Sequence, residues 1–448
     1  MTATSQLPTR TAVPASLVAR TVLWGALLVN LIVIETLFIT ADTPVKNNLI
    51  ETGKFFGLHV ALVMILQLVL IARLPWLDRR VGMDQLTSWH RWIGFTLFWL
   101  LVLHVGFIIA GYAKLDGNNF VVQIGSLAGS FPVLLGMAAF VLVVMVAAVS
   151  MRAARRRLSY ETWHALHFAV YVVITLALIH QLYELSTFDA MPIATVYWWL
   201  LWTFAIGALI TGRVIVPLLR NARHQFRVAA VVPESDNVVS VHVTGRDLER
   251  LPAQAGQFFL WRFPGHNPWW QVNPFSMSAA PNGRSLRLTA KAVGTTSARL
   301  RTVPVGTRVF AEGPYGAFTA MHRTRNATLL IAGGVGVTPI RALLEESTGP
   351  VVVLYRVRTE EDAVLLHELR ELAAARGAEV HLVTGRTSAA SAAGAPLGPE
   401  NLTRLVPDIA DRDVFVCGPP AMTSAVLRSL RELKVPRRQV HAERFSLA

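Results

Sequence analysis

The sequence predicts a membrane α-helical bundle of six spans, followed by a small antiparallel β-barrel and an α/β domain with a parallel sheet. Three observations carry that prediction. Apolar residues concentrate ahead of about Pro217 in six stretches, each near the ~20 residues that cross a bilayer. Short alternating segments then follow, separated by Gly, Pro and Asn turns. From about Ala327 strand-like and helix-like runs alternate, as a parallel sheet with crossover helices requires.

Composition bounds the partners. The 448 residues are 53% hydrophobic with mean hydropathy +0.45, high for a wholly soluble chain. The net charge of +14 does not read as a nucleic-acid surface, because no nucleic-acid module accompanies it and the arginines cluster between apolar segments. Cys417 is the one cysteine, which excludes an internal disulfide and any four-thiolate zinc or iron–sulfur site. Redox chemistry here has to use other cofactors.

Residues 1–18 are polar and irregular and read as a disordered tail. A 19–220 domain then holds spans at 19–40, 55–73, 89–111, 131–150, 164–183 and 194–216. The first is longer than a signal-peptide core and lacks a clear cleavage site, so it reads as an anchor. Arg73, Arg79 and Arg80 follow span two, Arg152, Arg155, Arg156 and Arg157 follow span four, and Arg213, Arg220 and Arg223 mark the exit from span six. The alternate loops hold only Lys46, Lys54 and Lys114. Positive residues stay inside, so both termini and everything past span six are expected on the cytoplasmic side of a cell membrane.

Ionisable side chains are costly in lipid and read as functional by default. His90 and His104 lie 14 residues apart in span three, and His167 and His180 lie 13 apart in span five. At about 1.5 Å per residue each helix carries its two imidazoles roughly 20 Å apart. Spans three and five run in the same direction, so His90 is level with His167 near the inner face and His104 with His180 near the outer one. Two levels of paired imidazoles suit bis-histidine ligation of two b-type haems, whose iron takes an axial ligand on each side. Polar residues that merely join helices would explain one pair but not two matched levels. A 13-residue step leaves its second side chain about 140° around an ideal helix, so span five must be distorted or its haems must sit at different azimuths. His164 competes with His167, but its 16-residue step to His180 matches the other helix less well. Glu35 and His59 are expected to be packed and hydrogen-bonded, or else to border an outer acceptor site or proton path.

Beyond the membrane half, strands are expected at 226–232, 238–243, 257–263, 286–292 and 307–312, within a 221–323 domain. The 324–448 domain begins with strand ATLLIA and continues with strands VVVLY, EVHLV, DVFVC and QVHAERF. After its first strand comes Gly333-Gly334-Val335-Gly336-Val337-Thr338-Pro339, which opens a helix. Glycines let backbone approach a pyrophosphate, and a helix N-terminus favours its charge. The spacing is not G-x-G-x-x-G, so a nucleotide cradle and a plain structural turn both remain open from the residues alone.

An ordered set of short motifs carries a resemblance. Asn273-Pro274-Phe275-Ser276-Met277-Ser278, Gly294-Thr295-Thr296-Ser297, Glu312-Gly313-Pro314-Tyr315-Gly316, the glycine turn, Cys417-Gly418-Pro419-Pro420 and Glu443-Arg444-Phe445 look like the ferredoxin-reductase-type flavoprotein module. Joined to six spans with the four-histidine pattern, the chain from about Ala19 to its end resembles the ferric reductase and NADPH oxidase superfamily. The resemblance implies that Asn273, Pro274, Phe275, Ser276, Met277 and Ser278 line the ring and ribityl of FAD, and that Gly294, Thr295, Thr296 and Ser297 hold its pyrophosphate. It implies further that Gly333, Gly334, Gly336, Thr338 and Pro339 cradle the NAD(P)H pyrophosphate. Cys417, Gly418 and Pro419 would lie beside the nicotinamide, and Phe445 would shield the flavin face, which makes Cys417 and Phe445 the catalytic candidates. Asn273 stands where oxidases of the family usually carry histidine, and Ser446-Leu447-Ala448 extends past the terminal aromatic.

Arg356 and Arg358 after the second strand, with Arg386 after the third, favour NADPH, leaving NADH as the alternative; no acidic residue immediately ends the second strand to take a ribose hydroxyl. The implied activity is a transmembrane oxidoreductase that passes electrons from cytosolic NAD(P)H through FAD and two haems b to an outer acceptor, oxygen or a ferric chelate. A quinone or an exported redox partner would serve equally as acceptor. Two other readings compete, a membrane-anchored flavin reductase with a cytosolic acceptor and a haem-binding sensor.

Overall fold

The computed structural model describes residues 15–41, 45–151, 154, 157–158, 160–184, 186–188, 191–266, 268, 271–385 and 395–444. The chain divides into two compact units, one of Arg20–Arg73 with Gln85–Thr211, the other of Leu74–Asp84 with Gly212–Leu447.

The helical unit follows the apolar stretches. Helices α1 (Ala15–Thr40), α2 (Asn48–Ile71), α4 (Met83–Asp116) and α6 (Phe131–Ser150) cover the first four spans, with the short α3 (Pro75–Val81) and α5 (Phe120–Ala128) between them. Span five is α7 (Tyr160–His167) and α8 (Ala169–Glu184), and span six is α9 (Pro192–Ile210) continuing into α10 (Val216–His224). Among the described residues, six helices are thus long and apolar enough to cross a bilayer. The third runs past both ends of the expected 89–111, because no proline interrupts it. Asn47 caps α2 by accepting the Ile50 amide at 3.0 Å, and Asn119 caps α5 by accepting that of Val122 at 2.9 Å. Pro132 and Pro192 sit in the first turns of α6 and α9, where no amide is missed.

Inside the bundle Ile34, Leu58, Leu62, Ile65, Trp198 and Trp202 form an apolar core. Helix α2 is the enclosed one, with 56% of its apolar window buried against 6% for α4 and α6. Outward-facing Trp92, Phe95, Trp99, Val141, Leu200 and Phe204 give the apolar exterior that lipid tolerates and water does not. Of the two alternatives for the 13-residue step, a distorted span five is present: α7 ends at His167 and α8 begins at Ala169.

In the second unit six strands make two three-stranded antiparallel sheets, ordered β1–β2–β5 and β4–β3–β6. They are β1 (Arg227–Ser235), β2 (Val238–Thr244), β3 (Phe258–Arg262), β4 (Asn273–Ser276), β5 (Ser285–Lys291) and β6 (Phe310–Tyr315), with the short helix α11 (Thr295–Arg299) between the last two. Both sheets send side chains into one core that includes Phe226, Val241, Phe259, Trp261 and Leu288. Single bridges, Arg227–Arg308 and Met277–Leu288, join their edges; among the described residues no continuous pairing closes the expected barrel.

The remaining strands form a five-stranded parallel sheet ordered β11–β10–β7–β8–β9, from β7 (Ala327–Gly333), β8 (Val351–Arg356), β9 (Glu379–Val383), β10 (Arg412–Gly418) and β11 (Val440–Arg444). Strand order reverses between β7 and β10, the Rossmann-type arrangement whose crevice opens at the carboxyl ends of those two strands. Helices α12 (Val337–Glu346), α13 (Leu366–Arg376), α14 (Pro399–Leu405) and α15 (Pro420–Glu432) flank it.

Candidate functional site

In the helical unit the imidazoles of His90 and His167 meet edge-on, with ring centroids 6.2 Å apart and planes inclined by 75°. Two metal–nitrogen bonds of about 2.0 Å, plus about 1.1 Å from each nitrogen to its ring centre, ask for roughly 6 Å. Trp163 stacks on His167 at 5.1 Å, whereas His164 packs on Phe168 at 4.4 Å. His167 therefore faces span three.

His104 and His180 share another feature. Nδ1 of His104 donates to the Gly53 carbonyl at 2.8 Å, and Nδ1 of His180 to that of Pro132 at 2.9 Å. A carbonyl can only accept, so Nδ1 carries a proton, and in a neutral ring Nε2 is then the nitrogen left to act as a metal ligand. Glycines clear room for both rings: a Cβ on Gly57 would lie 2.8 Å from His104 Nδ1, and one on Gly136 would lie 3.0 Å from His180 Nδ1. Among the described residues no three or more His, Cys, Asp or Glu side chains gather to hold a bare metal ion. A porphyrin would supply four of iron's ligands and leave two axial positions, the number that a pair of imidazoles could fill. His59 Nδ1 donates to the Phe55 carbonyl at 2.7 Å and its Nε2 shares a hydrogen bond with Glu35 Oε1 at 3.1 Å, the packed alternative of the two expected for this pair.

In the second unit the glycine turn and the Cys417 turn meet at the switch point. A Cβ on Gly336 would collide with the Cys417 carbonyl, and one on Gly333 with Met422. Gly334, at φ +53, has open space where a Cβ would be, beside the N-terminus of α12. A glycine turn that opens a helix presents backbone amides of the kind that suit a pyrophosphate. Thr338 is buried and bonds to the Val335 carbonyl at 3.1 Å, and Pro339 lies in the first helical turn. Cys417 is fully buried, and desolvation, helped by Glu443, raises its thiol well above the ordinary value. The Gly418 carbonyl accepts from the Thr423 hydroxyl, and Pro419 packs beside Gly333.

Sequence reasoning misses Glu443. Its strand register sets it against Cys417, and burial, with Asp84 and Asp78 nearby, pushes its carboxyl up to about 8. The Glu443-Arg444-Phe445 triplet is the available signal, but its resemblance points to the aromatic alone. Phe445 lies outside the described residues, as do Arg386 and the side chains of Thr295 and Thr296.

Residues 273–278 separate into two groups. Asn273 spends its amide on the Trp261 carbonyl at 3.3 Å, Pro274 and Phe275 are half-buried, and Ser276 and Met277 are buried. Ser278 is fully buried, its hydroxyl engaged by Thr289 and Arg287. The Ser297 hydroxyl accepts the Val293 and Gly294 amides at 3.0 and 3.1 Å, so it shapes its own turn, while Gly294 faces open space. Arg356 donates to the carbonyls of Val383 and Gly385, whereas Arg358 is exposed.

The loop helix α3 belongs to this unit. Buried Asp78 accepts the Gly316 amide at 2.9 Å, the Arg79 carbonyl accepts from His322 at 3.1 Å, and Met83 packs near Phe258 and Tyr315. At the other entry, Asn221 of α10 exchanges two bonds with the backbone of Ala311, at 2.8 and 2.9 Å.

Three family descriptions match in order: ferric reductase like transmembrane component over 56–178, FAD-binding domain over 223–319 and oxidoreductase NAD-binding domain over 330–428. The chain is 32% identical over 238 residues to ferredoxin–NADP reductase B of Sorangium cellulosum, covering 49% of this chain and 96% of that protein. It is 32% identical over 241 residues to the ferredoxin reductase component of 3-ketosteroid-9-alpha-monooxygenase from Mycobacterium tuberculosis, covering 49% of this chain and 65% of that protein's length. Among solved structures, the flavohem-like FAD/NAD binding domain of nitric oxide dioxygenase from Vibrio cholerae is 25% identical with a TM-score of 0.41, covering 50% of this chain and 98% of that one.

Proposed function

From a chain that belongs to the superfamily joining a ferric-reductase-like transmembrane component to FAD- and NAD-binding reductase domains, an oxidoreductase using FAD and NAD(P)H, we propose a transmembrane electron carrier. Its 19–220 domain holds two b-type haems, its 221–323 domain FAD and its 324–448 domain NAD(P)H, preferably NADPH. The reductase domains and both termini are cytoplasmic, and the acceptor, oxygen or a ferric chelate, is met at the outer face.

The observation that carries this reading is the disposition of the four histidines. His90 and His167 stand at a separation that suits axial ligation, and His104 and His180 are held through Nδ1 by main-chain carbonyls, which leaves Nε2 as the candidate ligand atom. Bound FAD supplies the conversion between a two-electron hydride donor and one-electron haem. The protein's own part is placement. Pro274 and Phe275 offer the flavin ring a surface, the open space at Gly294 leaves room for its pyrophosphate, and Gly334 with the α12 N-terminus receives the nucleotide pyrophosphate. Cys417, a neutral thiol, and Glu443 border the nicotinamide, with Phe445 covering the flavin; Arg358 meets a 2′-phosphate.

The names of the reductase relatives favour a second reading, delivery to a cytosolic acceptor by a membrane-anchored flavin reductase. One experiment separates them. Purified protein should show a bis-histidine haem spectrum that NADPH reduces, and His104→Ala should lose the outer haem while NADPH-driven flavin reduction persists. Protein purified without haem would sink the transmembrane reading and leave the flavin reductase.

A further inference from the structure

A chain of charged side chains ties the flavin-side strands to the nucleotide-side helices. Arg287 of β5 donates through Nη1 to both carboxylate oxygens of Glu368 in α13, at 3.1 and 3.0 Å. Its Nη2 donates to the Ser278 carbonyl at 2.6 Å and its Nε to the Ser278 hydroxyl at 3.0 Å. Arg341 of α12 approaches the same Glu368 at 2.5 Å and also bonds Glu345, whose carboxylate accepts the Ala280 amide at 2.7 Å. The segment Ser278–Ala280, directly after β4, is therefore gripped at both ends by side chains that converge on α12 and α13.

These are not solvated surface pairs. The side chains of Arg287 and Arg341 are only 11% and 9% exposed, so their charges depend on Glu368 and Glu345. The Ser278 hydroxyl accepts from Arg287 and Thr289 and donates to the Arg287 carbonyl, which uses its full hydrogen-bonding capacity on the network.

We propose that Arg287, Glu368, Arg341 and Glu345 form a clamp of positioning residues that fixes the flavin strand against the nucleotide crevice and so sets the geometry of hydride delivery. This rests on the reading that the crevice and β4 serve one reaction. The glycine and Cys417 turns lie wholly within the parallel-sheet domain, so the clamp governs how bound nucleotide meets flavin, not how tightly nucleotide binds.

The test uses the full-length, FAD-loaded protein with Glu368→Gln, and with Glu368→Asp, which keeps the charge and shortens its reach, should the first not fold. Rapid-mixing kinetics should show the limiting rate of flavin reduction by NADPH falling at least tenfold with its dissociation constant changed less than threefold. Without nucleotide, hydrogen exchange at the Ala280 amide should quicken at least tenfold. An unchanged limiting rate despite faster exchange would reduce the network to a structural tie, and unchanged exchange would remove the clamp altogether. If NADPH fails to reduce the wild-type flavin, the underlying reading falls and takes the clamp with it.

Discussion

Hydrogen bonds from Nδ1 to the carbonyls of Gly53 and Pro132 give His104 and His180 a fixed tautomer, and Gly57 and Gly136 give their rings room. The glycines are invisible to any spacing argument, because they sit on neighbouring helices. Under the proposed ligation, Gly57→Val and Gly136→Val should each lose haem, whereas Gly106→Ala, which meets nothing within 4 Å, should keep it. Haem per polypeptide measures this, and full loading of both valine variants would refute the role of the glycines. Glu443 gives a pH signature. Its carboxyl rises from 4.5 to about 8, so the folded state holds a proton that the unfolded chain releases earlier. That stabilisation is fully present below about 4.5 and is lost as pH rises through about 8. Glu443→Gln should flatten this part of the stability profile in thermal melts across that window; an unaltered profile would show that another group titrates.

At the scale of elements, composition and alternation carried most of the fold. All six spans, and the five strands of the parallel sheet, were legible because length and period survive without tertiary information. Span five was legible even in its defect. A 13-residue step cannot keep two side chains on one face, and the helix breaks at Phe168, directly after His167. The clamp was not legible, since Arg287 and Glu368 lie 81 residues apart with no shared motif. Nor was the docking of α3: a loop read only for its positive charges supplies Asp78 to the Gly316 amide. Asp78→Ala would leave that buried amide unsatisfied, a loss of about 1–3 kcal/mol. Flavin release on heating should then begin at lower temperature than in wild type. A melting point equal to wild type would mean that water replaces the carboxylate.

For the whole molecule the distribution of charge makes the decisive prediction, because it assigns a side to each end of the proposed electron path. Arg73, Arg79 and Arg80 follow span two and Arg213, Arg220 and Arg223 leave span six, while the alternate loops carry only Lys46, Lys54 and Lys114. Chains retain arginine-rich loops on the cytoplasmic side, so nucleotide and final acceptor are expected on opposite faces of one membrane. In sealed inside-out vesicles, added NADPH should reduce a membrane-impermeant ferric chelate trapped in the lumen, with two ferric ions reduced per hydride consumed. The same chelate added outside with the nucleotide should be reduced only after the vesicles are made leaky. Electrons appearing on the nucleotide side of intact vesicles, at the rate seen in leaky ones, would defeat transmembrane transfer and leave an anchored flavin reductase in its place.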